Sequence, residues 1–284
     1  MEIPGATKRS ICRALGINRS RLYRKAKPGT RVPRINGACA SDAEVVPALK
    51  QIAGRFPTYG SRRLKVLVSR QLDRPVSRKR ILRLMHQHDL LTYKRVRRAR
   101  PKPHPRKVEA TAPDQVWQMD FTKIIVGERW YWLLVVMDRF TREIVDWSLT
   151  LRGTAKQVTT VLDRAVTQRF PDGVRGAGLK IASDNGTAFL SHSVQAFAAL
   201  LEVELMRTRV RYPEGNGRCE RLIRTIKEEE VWLNIYDTYD QARDRTEKFI
   251  EFYNAERIHS ALGYISPRQF AARWRDDDRP LKAA

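Results

Sequence analysis

Eight consecutive apolar residues, Trp130-Tyr131-Trp132-Leu133-Leu134-Val135-Val136-Met137, limit the fold of this chain more than any other stretch. A run of that length without a polar alternate face belongs in a central strand buried on both sides. Its neighbours supply the rest of a sheet. Trp117 to Phe121 reads as a strand before it, Gly127-Glu128 lies near the intervening turn, and Ile144 to Leu149 follows the turn Asp138-Arg139-Phe140-Thr141. A helix is expected over Ala155 to Phe170, then a strand from Leu179 to Ser183, an amphipathic run from Ser191 to Leu201 and a short apolar stretch from Val203 to Met206. The whole reads as an α/β domain spanning residues 114–275, with a tail at 276–284.

Two of these strands run into acids. Asp184 follows Ser183 and precedes Asn185-Gly186, which sets it at a strand's end beside a sharp turn, and Asp120 closes the apolar run that starts at Trp117. Tyr212-Pro213-Glu214-Gly215-Asn216-Gly217 reads as a mobile loop, after which Glu220 opens a helix with Leu222, Ile223, Ile226 and Leu233 on one face. Three carboxylates, two from strand ends and one from a helix, can converge on a pair of divalent cations. Such a pair activates a nucleophilic oxygen and stabilises a leaving oxygen in phosphodiester displacement, and hard oxygen donors suit Mg²⁺. Each acid has a plainer reading alone: Asp-Asn-Gly is a common tight turn, and a glutamate at a helix start complements the helix dipole. Their joint order, with 35 residues between Asp184 and Glu220, favours the metal site. Lys227, seven positions after Glu220, lies about two turns along the same helix face, where it can meet phosphate; Arg221 and Arg224 are similar candidates. Asp138 is a further strand-end acid, but its turn context and Arg139 favour a structural role.

The net charge of +24 is unevenly placed, with 29 Lys or Arg against 6 Asp or Glu in residues 1–112 and near balance beyond. A segment so basic is suited to neutralising phosphates, with affinity that falls steeply with salt. Residues 1–27 have apolar positions at helical spacing around a glycine, with Arg19, Arg21 and Arg24 outward, which suggests a helix-turn-helix; residues 28–42 read as a linker. Residues 43–92 read as a second helix-turn-helix. Its first helix buries Val45, Val46, Leu49, Ile52 and Phe56, its second starts from an N-cap at Pro57 to Ser61, and its third, Arg78 to His88, turns Ile81, Leu82, Leu84 and Met85 inward. Arg78, Lys79, Arg80 and Arg83 on the third helix, with Arg62 and Arg63 on the second, are candidate DNA contacts. Residues 93–113 form a basic, proline-rich linker in which Arg97, Arg98 and Arg100 can track a phosphate backbone. Tyr239 to Trp274 reads as one helix broken near His259, itself more suited to the core than to DNA. Cys12, Cys39 and Cys219 are too few and scattered for a disulfide framework or zinc cage, and no apolar run reaches membrane-spanning length. A cytoplasmic protein is expected.

Asp120, Asp184, Glu220 and Lys227 at these spacings resemble the DDE motif of the retroviral-integrase superfamily. The wider text resembles the second-frame (OrfB) transposases of IS-three-type bacterial insertion sequences. It does so through Pro57-Thr58-Tyr59-Gly60 with Arg62-Arg63-Leu64, Trp117-Gln118-Met119-Asp120, Ser183-Asp184-Asn185-Gly186, Asn216-Gly217 with Glu220, and Tyr253-Asn254 with Arg257 and His259-Ser260-Ala261-Leu262-Gly263-Tyr264. The likeness covers roughly residues 44 to 274. The chain departs from retroviral integrases in lacking the His/Cys pattern of their N-terminal zinc module.

The resemblance implies a ribonuclease-H-like integrase catalytic core, a mixed five-stranded sheet with flanking helices, preceded by small all-α helix-turn-helix domains. It further implies a DNA transposase that binds the terminal inverted repeats of its element and performs strand cleavage and transfer through a circular intermediate. Two Mg²⁺ ions, with Mn²⁺ able to substitute, would lie one between Asp120 and Asp184 and one between Asp120 and Glu220. The implied partners are double-stranded DNA, at least a second copy in a synaptic complex, and a first-frame (OrfA) product. A metal-dependent nuclease on the same fold and a non-catalytic DNA-binding regulator are the other readings.

Overall fold

The computed structural model describes residues 41–91, 110–207 and 217–276. The chain divides into two compact units, Met1–Ser41 and Asp42–Ala284. The expected first helix-turn-helix, with Arg19, Arg21 and Arg24, therefore lies outside the described residues, as do Arg97, Arg98 and Arg100 of the basic linker and the loop expected at Tyr212 to Asn216.

The second unit begins with three helices, α1 (Asp42–Arg55), α2 (Ser61–Gln71) and α3 (Arg78–Gln87). They close on a small core of Val45, Leu49, Ile52, Leu64, Val68, Val76, Ile81, Leu84 and Met85. Ser77 caps α3 as its sequence suggests, its hydroxyl accepting from the Arg80 amide at 3.2 Å. At α2 the N-cap within Pro57 to Ser61 is Gly60, with no side-chain cap, while Ser61 opens the helix and its Oγ accepts from Arg78 Nε at 3.2 Å. Leu82 is 41% exposed, because the core face of so short a helix is filled by Ile81, Leu84 and Met85.

The sheet follows. Its strands are β1 (Val116–Val126), β2 (Arg129–Asp138), β3 (Ile144–Thr150), β4 (Lys180–Ser183) and β5 (Glu204–Arg207), in the spatial order β3-β2-β1-β4-β5. β1 pairs antiparallel with β2 and parallel with β4, and β4 pairs parallel with β5. The centre of the sheet is thus β1 and not the apolar run, which forms β2, one place nearer the edge. Only the last six residues of β2 are buried; Trp130, near the hairpin end, is 57% exposed. β1 also runs on well past Phe121. Thr122, Ile124 and Val126 continue a buried alternate face against β2 as far as the Gly127 turn, so Asp120 stands mid-strand rather than at a strand's end.

Helices cover both faces. Between α4 (Ala155–Arg169) and α6 (His192–Leu200) on one side and the sheet lies a core containing Trp117, Met119, Leu134, Val136, Val158, Leu162 and Ile181. The other face packs Ile124, Val126, Leu133, Val135 and Met137 against α7 (Gly217–Glu229) and α8 (Tyr239–Ala255), through Cys219, Leu222, Ile226, Phe249 and Tyr253. Leu233 does not extend the apolar face of α7; it falls in a short 3-10 turn after the helix and is 56% exposed. The short helix α5 (Thr187–Leu190) links β4 to α6. Thr154, Ser191 and Thr238 cap α4, α6 and α8 with their hydroxyls. Buried Asn254 fastens α8 to β3 by accepting from the Ile144 amide and donating to the Ile144 carbonyl, both at 2.9 Å. The chain leaves α8 after Ala255 and resumes helix at Pro267, where α9 (Pro267–Asp276) begins, as its Ser-Pro start suggests.

Leu134 has no exposed surface and fills the layer between β2 and the α4/α6 face. Leu134→Ala is expected to lower unfolding free energy in urea by about 2–5 kcal/mol, and a loss within ~0.5 kcal/mol would contradict a two-face core.

Candidate active site

Strand register brings the first two acids together. Gln118 of β1 is level with Ala182 of β4, so two residues further along Asp120 stands beside the point where β4 ends and Asp184 follows. The alternation that sends Trp117 and Met119 to the α4/α6 core sends Asp120 to the opposite face, beneath α7. Asp184 sits just past the end of β4, its Oδ1 accepting from the Gly186 amide at 2.9 Å. A Cβ at Gly186 would stand 3.0 Å from that oxygen, so any larger residue there would press on the Asp184 carboxylate. Asp120 Oδ1 accepts from the Phe121 amide at 2.8 Å.

Glu220 arrives from α7. Its neighbour Cys219 is fully buried, with Sγ 4.0 Å from the Gln118 carbonyl, and Leu222, Ile223 and Ile226 are buried behind it. The first turn of α7 is therefore seated on β1 two residues before Asp120, with Glu220 exposed beside it. The electrostatics report the proximity of all three acids. Burial, and then the negative charges of Asp184 and Glu220, push the Asp120 carboxyl up to about 7, while the Phe121 amide and Lys227 pull the other way. Burial raises the Cys219 thiol, and the same three carboxylates raise it further.

Among the described residues no three His, Cys, Asp or Glu side chains are drawn together tightly enough to hold a metal ion. The donor set nevertheless fits one kind of ion. Mg²⁺ keeps several waters and is held by one or two carboxylates with substrate phosphates rather than by an all-protein cage. A half-buried carboxylate crowded by two others is a site where a divalent cation relieves repulsion that otherwise favours a proton.

The other candidates separate. Lys227 takes its place among the charges that act on Asp120. Arg224 pairs with Glu228 at 2.7 Å on the exposed side of α7, and Arg221 is exposed. On the three-helix module, Arg62, Arg78 and Lys79 are exposed. Arg80 and Arg83 instead grip Asp42 at the start of α1, at 2.5 and 2.6 Å, which holds that carboxyl below its usual range, with Arg83 the larger influence. Arg63 turns inward, 3.5 Å from Glu229 at the end of α7 and over the Tyr59 ring. Asp138 is occupied structurally: its oxygens accept from the amides of Phe140, Thr141 and Asp114. Glu229 and Arg257 were not legible as a pair, because Glu228-Glu229-Glu230 reads as a solvated acidic run.

Comparison with known proteins follows this geometry. Residues 110–213 and 201–267 each match an integrase core domain family, and residues 41–100 match an HTH-like domain. Over 238 residues, 81% of this chain, the sequence is 31% identical to Transposase InsD for insertion element IS2D of Escherichia coli strain K12, and covers 78% of that protein. The chain belongs to this family of insertion-sequence transposases. Transposase InsD for insertion element IS2-9, from the same strain, is equally similar at 31% identity, with 77% of its length covered. The transposase is a DDE polynucleotidyl transferase built on the ribonuclease-H-like integrase core. Its fold is shared with a chain of the simian T-cell lymphotropic virus intasome, solved in complex with PP2A regulatory subunit B56 gamma. That match has TM-score 0.50 and 18% identity, over 84% of this chain and 77% of that one. Among the described residues no helix is long and apolar enough to cross a membrane.

Two predictions follow from the site and its surroundings. Asp120→Asn removes a charge buried among like charges, so in chelator it is expected to raise stability by about 1 kcal/mol, while abolishing any rise in melting temperature on adding Mg²⁺. His259 is the second case: burial, then Arg257, Arg63 and Arg142, drive its pKa down to about 2. The unfolded chain therefore takes up a proton near pH 6.5 that the folded chain refuses, and stability falls as pH drops below that value, by about 1.4 kcal/mol per pH unit. Asp120, raised to about 7, titrates in the same window with the opposite sign, so the share of His259 is read as a difference: between about pH 6.5 and 5.5 wild type should lose about 1 kcal/mol in urea unfolding relative to His259→Gln.

Proposed function

We propose that this transposase binds the terminal inverted repeats of its element through its helix-turn-helix modules and basic linker, and cuts and joins DNA at Asp120, Asp184 and Glu220. What supports the assignment is that Asp120 of β1 lies near enough to Asp184, just past the end of β4, and to Glu220 of α7 for their charges to add to burial in raising its carboxyl. Two Mg²⁺ ions, or Mn²⁺ in their place, would activate the attacking oxygen and stabilise the leaving one. Asp120 faces both other acids and would serve both ions. Asp184, held by its Asx turn, and Glu220, held by the seating of Cys219, would each serve one. Lys227 would steady a phosphate oxygen beside them.

In the first step water attacks a phosphodiester at an element end, breaking the bond to the 3′ oxygen and freeing a 3′-OH. That hydroxyl then attacks a second phosphodiester, forming one P–O bond as another breaks. The bond count is conserved, so neither ATP nor a covalent protein intermediate is needed. Joining the two ends of one element gives a circular intermediate before integration, and holding two ends implies at least a dimer. Exposed Arg62, Arg78, Lys79, Arg221 and Arg224, with Arg80 and Arg83 at the edge of α3, supply cationic surface for duplex phosphates, as would Arg19, Arg21, Arg24, Arg97, Arg98 and Arg100.

The test is a gel assay with labelled DNA carrying the element's ends, with and without Mg²⁺, on wild type and Glu220→Gln. Wild type is expected to nick and join, and the variant to bind equally well while turning over slower by on the order of 10³-fold. Equal products from both proteins would remove Glu220 from the reaction, and nicks without joining would leave a nuclease.

A further inference from the structure

The helix that carries Glu220 in its first turn carries a second glutamate in its last. Glu229 is only 10% exposed, and Arg257, 3% exposed, donates to both of its oxygens at 2.7 Å, from Nε and from a terminal nitrogen. A buried bidentate pair of this kind has one geometry, and removing either partner leaves a buried charge. Arg257 follows the end of α8 and also approaches the ring nitrogens of His259. The third member comes from the DNA-binding module: Arg63 of α2 reaches Glu229 Oε1 at 3.5 Å, with its guanidinium 4.8 Å above the Tyr59 ring. Weaker contacts flank it, Phe56 stacked 5.9 Å from Phe252, Arg55 on Glu256 at 2.6 Å and Arg70 on the Tyr264 carbonyl at 2.7 Å. The two arginine contacts are exposed, and exposed pairs contribute little. Between Arg63 and Arg70, both of α2, the contact that Arg63 makes with the core at Glu229 is the more shielded, part-buried where that of Arg70 is exposed.

α7 is thus fixed at both ends by different parts of the molecule. Cys219 and its apolar neighbours seat the first turn on β1, and Glu229, nine residues or about 13 Å further along, is held by Arg257 and touched by Arg63. A helix of this length tilts as a rigid rod, so a shift at Glu229 moves Glu220.

We infer that Glu229, Arg257 and Arg63 form a positioning latch that transmits the seating of the HTH-like module to Glu220, and that Arg63 serves this latch rather than DNA. This rests on the assignment of Glu220 to the catalytic triad. The two roles of Arg63 predict opposite phenotypes. A phosphate contact sets affinity and adds about one unit to the salt slope of binding. A latch leaves both unchanged and alters the rate on bound DNA.

The experiment uses the full chain as wild type, Arg63→Gln, Glu229→Gln and the double variant, with DNA carrying the element's ends. It measures affinity from 50 to 200 mM salt, the single-turnover cleavage rate at saturating DNA with Mg²⁺, and melting temperature. For Arg63→Gln the latch predicts unchanged affinity and salt slope, an unchanged melting temperature and cleavage slowed about tenfold. Glu229→Gln, which also loosens the Arg257 pair, should slow cleavage at least as much, and the double variant no further than Glu229→Gln, because that change already removes the contact that Arg63→Gln breaks. Arg63 is partly exposed, so its variant is expected to fold and decides the matter if Glu229→Gln does not. Weaker binding with a shallower salt slope in Arg63→Gln would make Arg63 a DNA contact and overturn the inference, as would rates that merely follow lost stability or multiply in the double variant. A wild type that binds and does not cut would instead defeat the triad assignment on which the inference rests.

Discussion

The register of β1 is the constraint on which the rest of this transposase depends. Paired antiparallel with β2 and parallel with β4, β1 is the only described strand that joins the hairpin half of the sheet to its parallel half. That pairing sets Asp120 beside the end of β4, where Asp184 follows, and the alternation of β1 turns Asp120 away from the α4/α6 core and toward α7. A slip of one residue would send Asp120 into apolar packing and bring Trp117 and Met119 under α7.

The third acid depends on a different kind of restraint. Asp120 and Asp184 are placed by backbone hydrogen bonds, whereas Glu220 is placed by the packing of one helix, whose apolar stripe of Cys219, Leu222, Ile223 and Ile226 fits the sheet. The proposed active site thus takes two acids from β1 and the end of β4 and one from a helix packed on the sheet. Burial, and then the crowding of charge, raises Asp120, which leaves the site electrostatically poised for a cation. The far end of the same helix is anchored through Glu229, one of the points where the HTH-like module meets the core.

Much of this was legible in the sequence, for reasons that differ from element to element. The strand and helix order, the Asp184 turn and the helix start near Glu220 follow from local patterns that act over a few residues. The place of Asp120 in its strand was misjudged because the polar residues Thr122 and Lys123 interrupt the apolar run, although strand pairing with β2 continues to Val126. The centre of the sheet was misplaced because a long apolar run reports burial on two faces, which the second strand from an edge also has. Charges were least legible. Arg62 and Arg63 are adjacent on α2, yet one is exposed and the other lies against Glu229, 166 residues away in sequence. Arg80 and Arg83 are partnered by Asp42 across the module, and no local pattern gives such distant pairings.

The most direct test of the central claim is anomalous diffraction from crystals of the chain bound to element-end DNA and soaked in Mn²⁺. The account predicts Mn²⁺ peaks between Asp120 and Asp184 and between Asp120 and Glu220. Mn²⁺ bound elsewhere on the chain, or DNA seated with those three carboxylates bare, would contradict it.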